Sequence, residues 1–274
     1  MGLLGDTPAR DYVSKLSLFN AFAEPELRQA LASLELTRGV RVVDAGCGAG
    51  CALNWLWDAV KPDGLVVGFD LAAAHVRSAR ARVPVQTLVL QADLLRLPLR
   101  AGSVDLVWAV NTLNHLRDPL AGVRTLGMLL RPGGRIALGQ SSLLPDMFFA
   151  WDARLERLTG EAVRQYYRDR YLLREQDLAG VRALVGTLRR AGLRHVTTHT
   201  YNIERISPVS VADEAYLLEA IFVGTWGERL RPYLAPEEFE ALQDLCDPRS
   251  RGFALRRDDF HFLQTFTLAV GEAP

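Results

Sequence analysis

A glycine-rich stretch is the part of this sequence best suited to holding a ligand against the backbone. Residues 42–50 read VVDAGCGAG, an apolar run that leads through Gly46, Gly48 and Gly50 into helical spacing. Glycines in a strand-to-helix turn let a ligand approach the backbone, and the helix N-terminus adds unpaired N–H donors. The spacing is G-x-G-x-G, whereas a dinucleotide fingerprint would have its third glycine where Cys51 stands. The turn predicts a nucleotide-like ligand.

Two carboxylates end the next two predicted strands. Asp70 ends the apolar run LVVGFD, and Asp93 ends TLVLQAD. Open α/β sheets bind ligands outside the carboxyl ends of their strands, so both side chains are expected at the same crevice as the glycines. There Asp70 can accept hydrogen bonds from ribose hydroxyls, and Asp93 can bind an adenine amino group. A second interpretation of Asp70 stays open, as the N-cap of the following helix.

Four motifs follow one another in a characteristic order: DAGCGAG, GFDLA, QADLLRLPLRAGSVDLVWAVNTLNHLRDP and LLRPGGRIAL. In this order and spacing they resemble the class I S-adenosylmethionine-dependent methyltransferases. The resemblance is close over about residues 38–140 and weakens after Ser141. It implies a Rossmann-like fold, S-adenosyl-L-methionine as cofactor, and methyl transfer as the reaction.

Carried over by position, the resemblance also implies roles for single residues. The three glycines would line the methionine end of the cofactor, and Asp44 would orient the glycine loop. Asp70 would hold the ribose, Asp93 the adenine, and the backbone carbonyl of Asn111 the methionine amino group. The implied cofactor-binding residues are Asp44, Gly46, Cys47, Gly48, Gly50, Asp70, Leu71, Ala92, Asp93, Leu94 and Asn111.

The run after the fourth predicted strand departs from one branch of this family. Residues 111–114 read NTLN, not the Asn/Asp-Pro-Pro-Tyr of enzymes that methylate adenine or glutamine nitrogens. Protein and nucleic-acid acceptors of that kind are therefore disfavoured. We expect the methyl acceptor to be an oxygen or nitrogen atom of a small organic molecule.

His115 and a set of aromatic residues are the candidates for contacting that acceptor. His115 follows the fourth predicted strand and is a candidate general base, with a packing or capping role as the alternative. The candidate substrate contacts are Tyr12, Trp151, Tyr166, Tyr167 and Arg170. The tyrosines have a second interpretation, because Tyr167 and Tyr171 are one helical turn apart, as core residues usually are.

The elements that would position these residues alternate between strands and helices. Two short helices are expected within residues 11–34, then βαβ units up to residue 140 with a turn at RPGG. Helices are expected at 147–158, 162–173, 176–191 and within 207–257, with strands HVTTHTYNIERI and DFHFLQTFTLAVG around the last of these. The expected fold is a doubly wound, seven-stranded, mostly parallel sheet with an antiparallel last strand, with helical additions at the N-terminus and in the C-terminal half.

This pattern divides residues 1–274, expected as a single domain, into four parts. They are a helical N-terminal segment (1–34), a cofactor-binding core (35–141), a helical acceptor or lid segment (142–174), and a last helix and strand pair (175–274) with a helical insertion at 207–257.

Composition narrows the functional classes. In the 274 residues, 32 basic and 32 acidic side chains balance, so no net field favours nucleic acid or anionic lipid. The longest apolar stretches are shorter than the roughly 18 residues that a membrane helix needs. Three cysteines cannot form a disulfide framework, which favours the cytoplasm. The pairs Cys47/Cys51 and His195/His199 lack further ligands nearby in sequence, so no metal site is expected.

Two alternative functions remain open at this point. One is an NAD(P)-dependent oxidoreductase, which Cys51 at the third glycine position disfavours. The other is a cofactor-binding protein, or an S-adenosylmethionine-using enzyme, that transfers no methyl group. The oligomeric state is not predictable from the sequence.

Overall fold

An eight-stranded sheet forms the centre of the protein. The computed structural model describes residues 12–142, 148–149, 152–171 and 180–274. Its strands are β1 (Arg41–Ala45), β2 (Leu65–Asp70), β3 (Leu88–Gln91), β4 (Val104–Val110), β5 (Leu130–Ser141), β6 (Phe148–Phe149), β7 (Arg194–Ile206) and β8 (His261–Glu272).

The order of the strands places a crevice at the centre of one sheet edge. The order is β3-β2-β1-β4-β5-β8, with β7 paired to the outer side of β8. Strands β1 to β5 are parallel, and β8 runs antiparallel to β5 and β7. The predicted fold class is confirmed. The chain direction across the sheet reverses between β1 and β4, which is where open α/β sheets bind ligands.

Helices cover both faces of this sheet. They are α1 (Val13–Phe22), α2 (Glu24–Ala32), α3 (Cys51–Val60), α4 (Ala73–Arg80), α5 (Pro119–Leu129), α6 (Ala153–Tyr171), α7 (Gly180–Arg190), α8 (Val211–Tyr216) and α9 (Pro236–Cys246). After α8 the chain continues as a π-helical stretch, Leu217–Val223. The two predicted N-terminal helices correspond to α1 and α2, where Pro25 and two glutamates occupy the first turn of α2.

A hydrophobic core lies on each face of the sheet. One contains Leu27 of α2, Leu53 of α3 and Trp108 of β4, together with the aromatic residues of the C-terminal half. The other contains Leu126 of α5 and Leu184 of α7. Alternate residues of each central strand point to opposite cores, so both faces of the sheet are buried, as expected for parallel strands flanked by helices.

The helices expected at 147–158 and 162–173 form one continuous helix in the described residues, α6, and two further predictions differ from the structure. A helix was expected at 147–158, but Phe148–Phe149 is a strand that pairs with Leu263 and Phe262 of β8. Phe149 is buried beside the rings of Trp226 and Phe262, at 4.7 and 5.0 Å between centroids, and this long-range packing overrides the local helical spacing.

The second difference is the RPGG turn, which is the start of β5. The register against β4 shifts between Val104 and Leu106, so the glycines form an irregular strand entry instead of a free turn. Gly133 donates a backbone hydrogen bond to the Ala273 carbonyl, which ties this entry to the end of the chain. Within the described ranges, the helices are all too short or too polar to cross a membrane.

Candidate active site

A cleft of about 360 Å³ lies at the carboxyl ends of the central strands, next to α1. This volume is within the range of small-molecule sites, roughly 300–1,000 Å³. Strand ends and loops contribute Asp44, Gly46, Cys47, Gly48, Asp70, Leu71, Asp93, Leu94, Asn111 and His115, among others. The helices α1, α2 and α3 contribute Leu16, Phe19, Asn20, Leu27, Cys51, Ala52 and Trp55. The structure therefore brings most of the sequence-predicted cofactor residues together.

The glycine turn between β1 and α3 has three left-handed residues. Gly46, Gly48 and Gly50 have φ values of +82°, +53° and +85°, which L side chains rarely adopt. A Cβ on Gly46 would lie 2.4 Å from the Thr112 hydroxyl, and a Cβ on Gly50 would lie 2.9 Å from the Cβ of Ala79. Gly46 and Gly48 line the cleft, whereas Gly50 lies outside the described lining and allows α3 to pack on α4.

Asp70 ends β2 with both carboxylate oxygens facing protein donors. Its Oδ2 accepts a hydrogen bond from the Gly48 N–H at 2.9 Å, and its Oδ1 accepts one from the Ala72 N–H at 2.8 Å. The carboxylate thus links the glycine turn to the start of α4. The N-cap residue of α4 is Ala72, not Asp70. Of the alternative N-cap interpretation, only the hydrogen bond from the Ala72 N–H to Asp70 is present.

His75 is a cleft residue that the sequence analysis did not identify. Its side chain on α4 is buried, and its Nδ1 lies 3.1 Å from Oδ1 of Asp70. The Tyr12 ring packs edge-on against the imidazole, with the centroids 4.8 Å apart. Tyr12 itself lines the cleft, and its contact with a substrate stays a prediction. The signal for His75 is its position in the first turn of the helix that follows Asp70.

Asp44 is a buried carboxyl in the floor of the cleft. It is 3% exposed, and its Oδ2 has no hydrogen-bond partner among the described residues. Burial, and secondarily the charge of Asp70, raises the pKa of Asp44 to about 8. Leaving a buried acceptor without a hydrogen bond costs free energy. This position therefore favours a ligand or a solvent molecule that donates a hydrogen bond to Asp44.

The third strand end contributes the residues expected near an adenine. Asp93 lines the cleft, and its Oδ1 accepts the Leu95 N–H at 2.9 Å, which fixes the carboxylate in a turn. Leu94 beside it is buried. Ala92 lies outside the described lining and donates its N–H to the Asp70 carbonyl at 3.0 Å. Cys47 and Leu71 both line the cleft.

Asn111 follows β4 with a left-handed backbone, φ +51°. Its side-chain Oδ1 accepts hydrogen bonds from the Ser141 N–H at 2.8 Å and the Gln140 amide at 3.1 Å. Asparagine is one of the few residues that adopt this conformation readily. Because the side chain is held by the end of β5, the backbone of Asn111 is the part left to contact a ligand, and its predicted contact with the methionine amino group stays a prediction.

The candidate acceptor residues separate into two groups. His115 closes a short 3₁₀ turn, Leu113–His115, and lines the cleft. Tyr166, Tyr167 and Arg170 lie on α6 and are not among the described lining residues. Trp151 lies outside the described residues.

The position of the α6 tyrosines has a packing reason. Tyr166 and Tyr167 pack against the first hydrophobic core, and Tyr166 lies with its ring 6.4 Å from that of Tyr233. This is the core packing that their helical spacing equally allowed. Further residues that line the cleft, which the sequence did not indicate, belong to α1, α3 and β4: Leu16, Phe19, Asn20, Trp55 and Trp108. Their sequence signal is weak, because contacts of α1 with the cleft are set by long-range packing.

The donors and acceptors of the cleft fit S-adenosyl-L-methionine. The Asp70 carboxylate in the cleft is suited to accept from a ribose hydroxyl, the glycine turn lets a ligand approach the backbone, and the Asp44 oxygen can accept from a donor. Groups of three or more potential metal ligands do not occur in the described ranges.

Comparisons with known proteins agree with this geometry. Residues 43–138 match the methyltransferase domain family. The chain is 30% identical over 224 residues to the nocamycin O-methyltransferase of Saccharothrix syringae, covering 77% of each chain. It is 35% identical over 118 residues to the 27-O-demethylrifamycin SV methyltransferase of Amycolatopsis mediterranei, covering 41% of this chain and 43% of that protein.

Solved structures show the same fold at low sequence identity. A Haloferax volcanii methyltransferase in complex with the Trm112 activator has a TM-score of 0.58 at 20% identity, with 95% of this chain and 93% of that chain covered. A Bacillus halodurans methyltransferase has a TM-score of 0.54 at 17% identity, with 90% and 98% covered.

The chain spans only 34% to 43% of the length of three other curated relatives that it matches. With the nocamycin enzyme, by contrast, the match extends well past the cofactor motifs. The cleft geometry, the domain match and this long alignment together establish that the protein belongs to the class I S-adenosylmethionine-dependent methyltransferases, with S-adenosyl-L-methionine as its cofactor.

Proposed function

We propose that this enzyme transfers a methyl group to an oxygen or nitrogen atom of a small organic molecule. The observation that carries the proposal is that one cleft joins the cofactor-binding strand ends to apolar and aromatic walls from α1, α3 and β4. The alignment with the nocamycin O-methyltransferase, a small-molecule enzyme by its name, supports the same acceptor class.

The walls of the cleft favour an acceptor with substantial apolar surface. Phe19, Trp55 and Trp108 provide rigid rings, and Leu16 and Leu27 add aliphatic surface. Trp55 and Trp108 are buried, so their ring positions are fixed by the core. A polar group is available at Asn20, and a positive charge at Arg117, both of which line the cleft. An acceptor with a ring system and one polar or acidic substituent fits this lining best.

We assign the cofactor to the strand ends as the sequence comparison implied. Asp70 holds the ribose, Asp93 the adenine amino group, and the Asn111 carbonyl the methionine amino group, while Asp44 accepts a donor at the floor. The glycine turn and its neighbours complete the site: Gly46, Cys47, Gly48, Gly50, Leu71, Ala92 and Leu94. Gly50 and Ala92 do not line the cleft themselves, and they contribute by shaping the backbone around it.

The reaction then depends mainly on alignment. The cofactor supplies a methyl group already activated by its positively charged sulfur. The residues of the chain hold the acceptor atom opposite that methyl group and keep water out, and such positioning can lower a barrier by about 7–11 kcal/mol. Helix α1 serves as the cover, because its Tyr12-side end contacts His75 and Leu16 lies over Gly48.

His115 is the proposed general base. It lines the cleft next to Asn111, where it can take a proton from a hydroxyl or amine acceptor. A base is needed only when the acceptor is still protonated at the time of transfer. We place the reaction in the cytoplasm, where free thiols such as those of Cys47 and Cys51 stay reduced.

The test is an assay for S-adenosylhomocysteine release with a panel of small phenols, carboxylic acids, enols and amines. We expect turnover with an apolar ring-bearing acceptor, and a His115→Gln variant with lower kcat, unchanged cofactor affinity and activity that recovers as pH rises, because the acceptor then deprotonates by itself. Methylation of protein or nucleic acid, with none of the small molecules, would overturn the acceptor class. Equal pH profiles for the two proteins would reject His115 as the base.

A further inference from the structure

A buried histidine contacts the carboxylate that we assign to the ribose. His75 is 3% exposed, although it lies in the wall of the cleft. Its Nδ1 is 3.1 Å from Oδ1 of Asp70. Its Nε2 is buried and has no hydrogen-bond partner among the described residues. The imidazole is therefore held by one polar contact, and that contact is with Asp70.

We propose that His75 is a positioning residue, which holds the Asp70 carboxylate in the orientation that receives a ribose hydroxyl. The inference rests on the proposed ribose role of Asp70. It also changes how that role works, because the sequence comparison implied a carboxylate free to accept from both hydroxyls.

Protein donors fill most of the acceptor sites on the Asp70 carboxylate. Each carboxylate oxygen offers about two lone-pair sites. Oδ1 accepts from the Ala72 N–H and from His75 Nδ1, so its sites are filled by the protein. Oδ2 accepts from the Gly48 N–H and keeps one site for a ligand. The carboxylate therefore presents a single defined oxygen to the ribose.

Without His75, the two backbone donors alone would hold the carboxylate. One lies on each oxygen, and rotation about the side-chain bond would move Oδ2 away from both Gly48 and the ligand. The bond from His75 also fixes the proton on Nδ1, since a carboxylate can only accept.

Tyr12 connects this pair to α1. Its ring lies edge-on to the imidazole, at an angle of 89° and a centroid distance of 4.8 Å. The residue directly before α1 thus packs on the group that orients Asp70. The Tyr12 ring therefore links α1 to the residue that orients the ribose carboxylate.

Calorimetric titration with two ligands tests the proposal. One ligand is S-adenosylhomocysteine and the other is its 2′,3′-dideoxyribose analogue, which lacks both hydroxyls. In His75→Asn an amide N–H replaces Nδ1–H, whereas His75→Leu keeps the volume and loses the donor. We expect His75→Leu to weaken S-adenosylhomocysteine about tenfold, in line with one lost hydrogen bond to a charged group, and His75→Asn to stay within about threefold of the unmodified protein. The dideoxy analogue should bind all three proteins equally.

The controls separate this proposal from the role of Asp70. Asp70→Ala should weaken S-adenosylhomocysteine more than the analogue, which loses affinity only through the lost Gly48 contact. If the two ligands weaken equally, or neither weakens, the ribose assignment itself is wrong. Equal weakening of both ligands by His75→Leu, or unchanged affinity for S-adenosylhomocysteine, overturns the positioning role. If His75→Leu does not fold, His75→Gln gives the same comparison, because its longer side chain cannot place a donor at the Nδ1 position.

Discussion

At the scale of single residues, Asp44 is the buried group that most directly favours a hydrogen-bonding ligand in the cleft. The protein keeps a carboxyl group almost fully buried next to Asp70, although apolar residues would cost less there. Its neighbours across the sheet are Gly68 and Trp108, which offer it no side-chain hydrogen-bond partner among the described contacts. Such a group destabilises the protein without ligand and becomes favourable when a ligand donates to it.

The first prediction follows from the raised pKa of Asp44. Unfolded protein releases this proton near its ordinary pKa of 3.8, and folded protein releases it near 8, so the free energy of unfolding falls as pH rises between these values. Asp44→Asn removes the ionisation. In urea unfolding without cofactor, the variant should gain stability over the unmodified protein from pH 4 to pH 8, by more than about 1.4 kcal/mol, the equivalent of one pKa unit. A difference that stays constant with pH would contradict this.

The sequence predicts some of these residues and not others for a physical reason. Asp44, Asp70 and Asp93 end strands, and the ends of parallel strands meet at one edge whatever the details of packing. His75 reaches the cleft because its side chain points there from α4. Trp55 and Phe19 reach it because helices distant in sequence pack together. Strand-end motifs carry no information on either.

At the scale of elements, the turn from β1 to α3 places the cofactor site. Gly46 crosses beneath Thr112, whose hydroxyl donates to the carbonyls of Ala45 or Val110 at 3.0 Å. The ends of β1 and β4 are thereby tied together at the edge of the cleft. This contact leaves no space for a side chain on Gly46.

A matched pair of variants tests this turn. Gly46 and Gly39 both have left-handed backbones, at φ +82° and +84°, but a Cβ on Gly39 would meet nothing within 4 Å. Gly39→Ala should cost about 1–2 kcal/mol of unfolding free energy from backbone strain alone. Gly46→Ala adds the clash with Thr112, and we expect at least about 1 kcal/mol more. Equal losses in thermal or urea unfolding would show that the Thr112 contact does not constrain the turn.

Arg205 connects β7 to the helices α1, α2 and α8. On β7, its guanidinium pairs with Glu26 of α2 at 2.8 Å and Asp213 of α8 at 2.9 Å, and donates to the carbonyl of Phe22 at the end of α1. Its side chain is 15% exposed, and these bonds raise its pKa further, against the opposing effect of burial. The base of α1 is therefore fixed to the far part of the sheet.

Removing this anchor should affect both stability and ligand binding. Arg205→Ala leaves Glu26 and Asp213 without their buried partner, and we expect a loss of about 3 kcal/mol in unfolding free energy. We also expect weaker binding of S-adenosylhomocysteine, because α1 loses its fixed end. Arg249→Ala removes an ion pair whose arginine is 90% exposed, and should change stability by less than about 0.5 kcal/mol. Similar effects of the two substitutions would refute the anchor.

Local elements were predictable where one pattern dominates. The βαβ units up to β5 follow from alternating apolar strands and glycine or proline turns. The strand Phe148–Phe149 was not predictable, because its pairing with β8 lies more than a hundred residues away. The position of the α6 tyrosines was not predictable either, because helical spacing allows both core packing and contact with the cleft, and only the packing of the C-terminal half decides between them.

At the scale of the whole molecule, the C-terminal half supports the site from behind. Helix α1 lies between the cleft and the segment from α8 onward, with Phe19 in the cleft wall and in ring contact with Tyr216 at 5.8 Å. The helical insertion thus packs against the side of α1 that faces away from the cleft. Within the described residues, the ends of the central strands line one part of the cleft, and α1 lines another.

The most direct test is a crystal structure of the protein with S-adenosylhomocysteine. We predict a ribose hydroxyl within about 3 Å of the Asp70 carboxylate, with the methionine end beneath α1 and over the turn of Gly46 and Gly48. The sulfur should face the aromatic walls formed by Phe19 and Trp108. A ligand bound elsewhere, or with its ribose directed away from Asp70, would contradict the account.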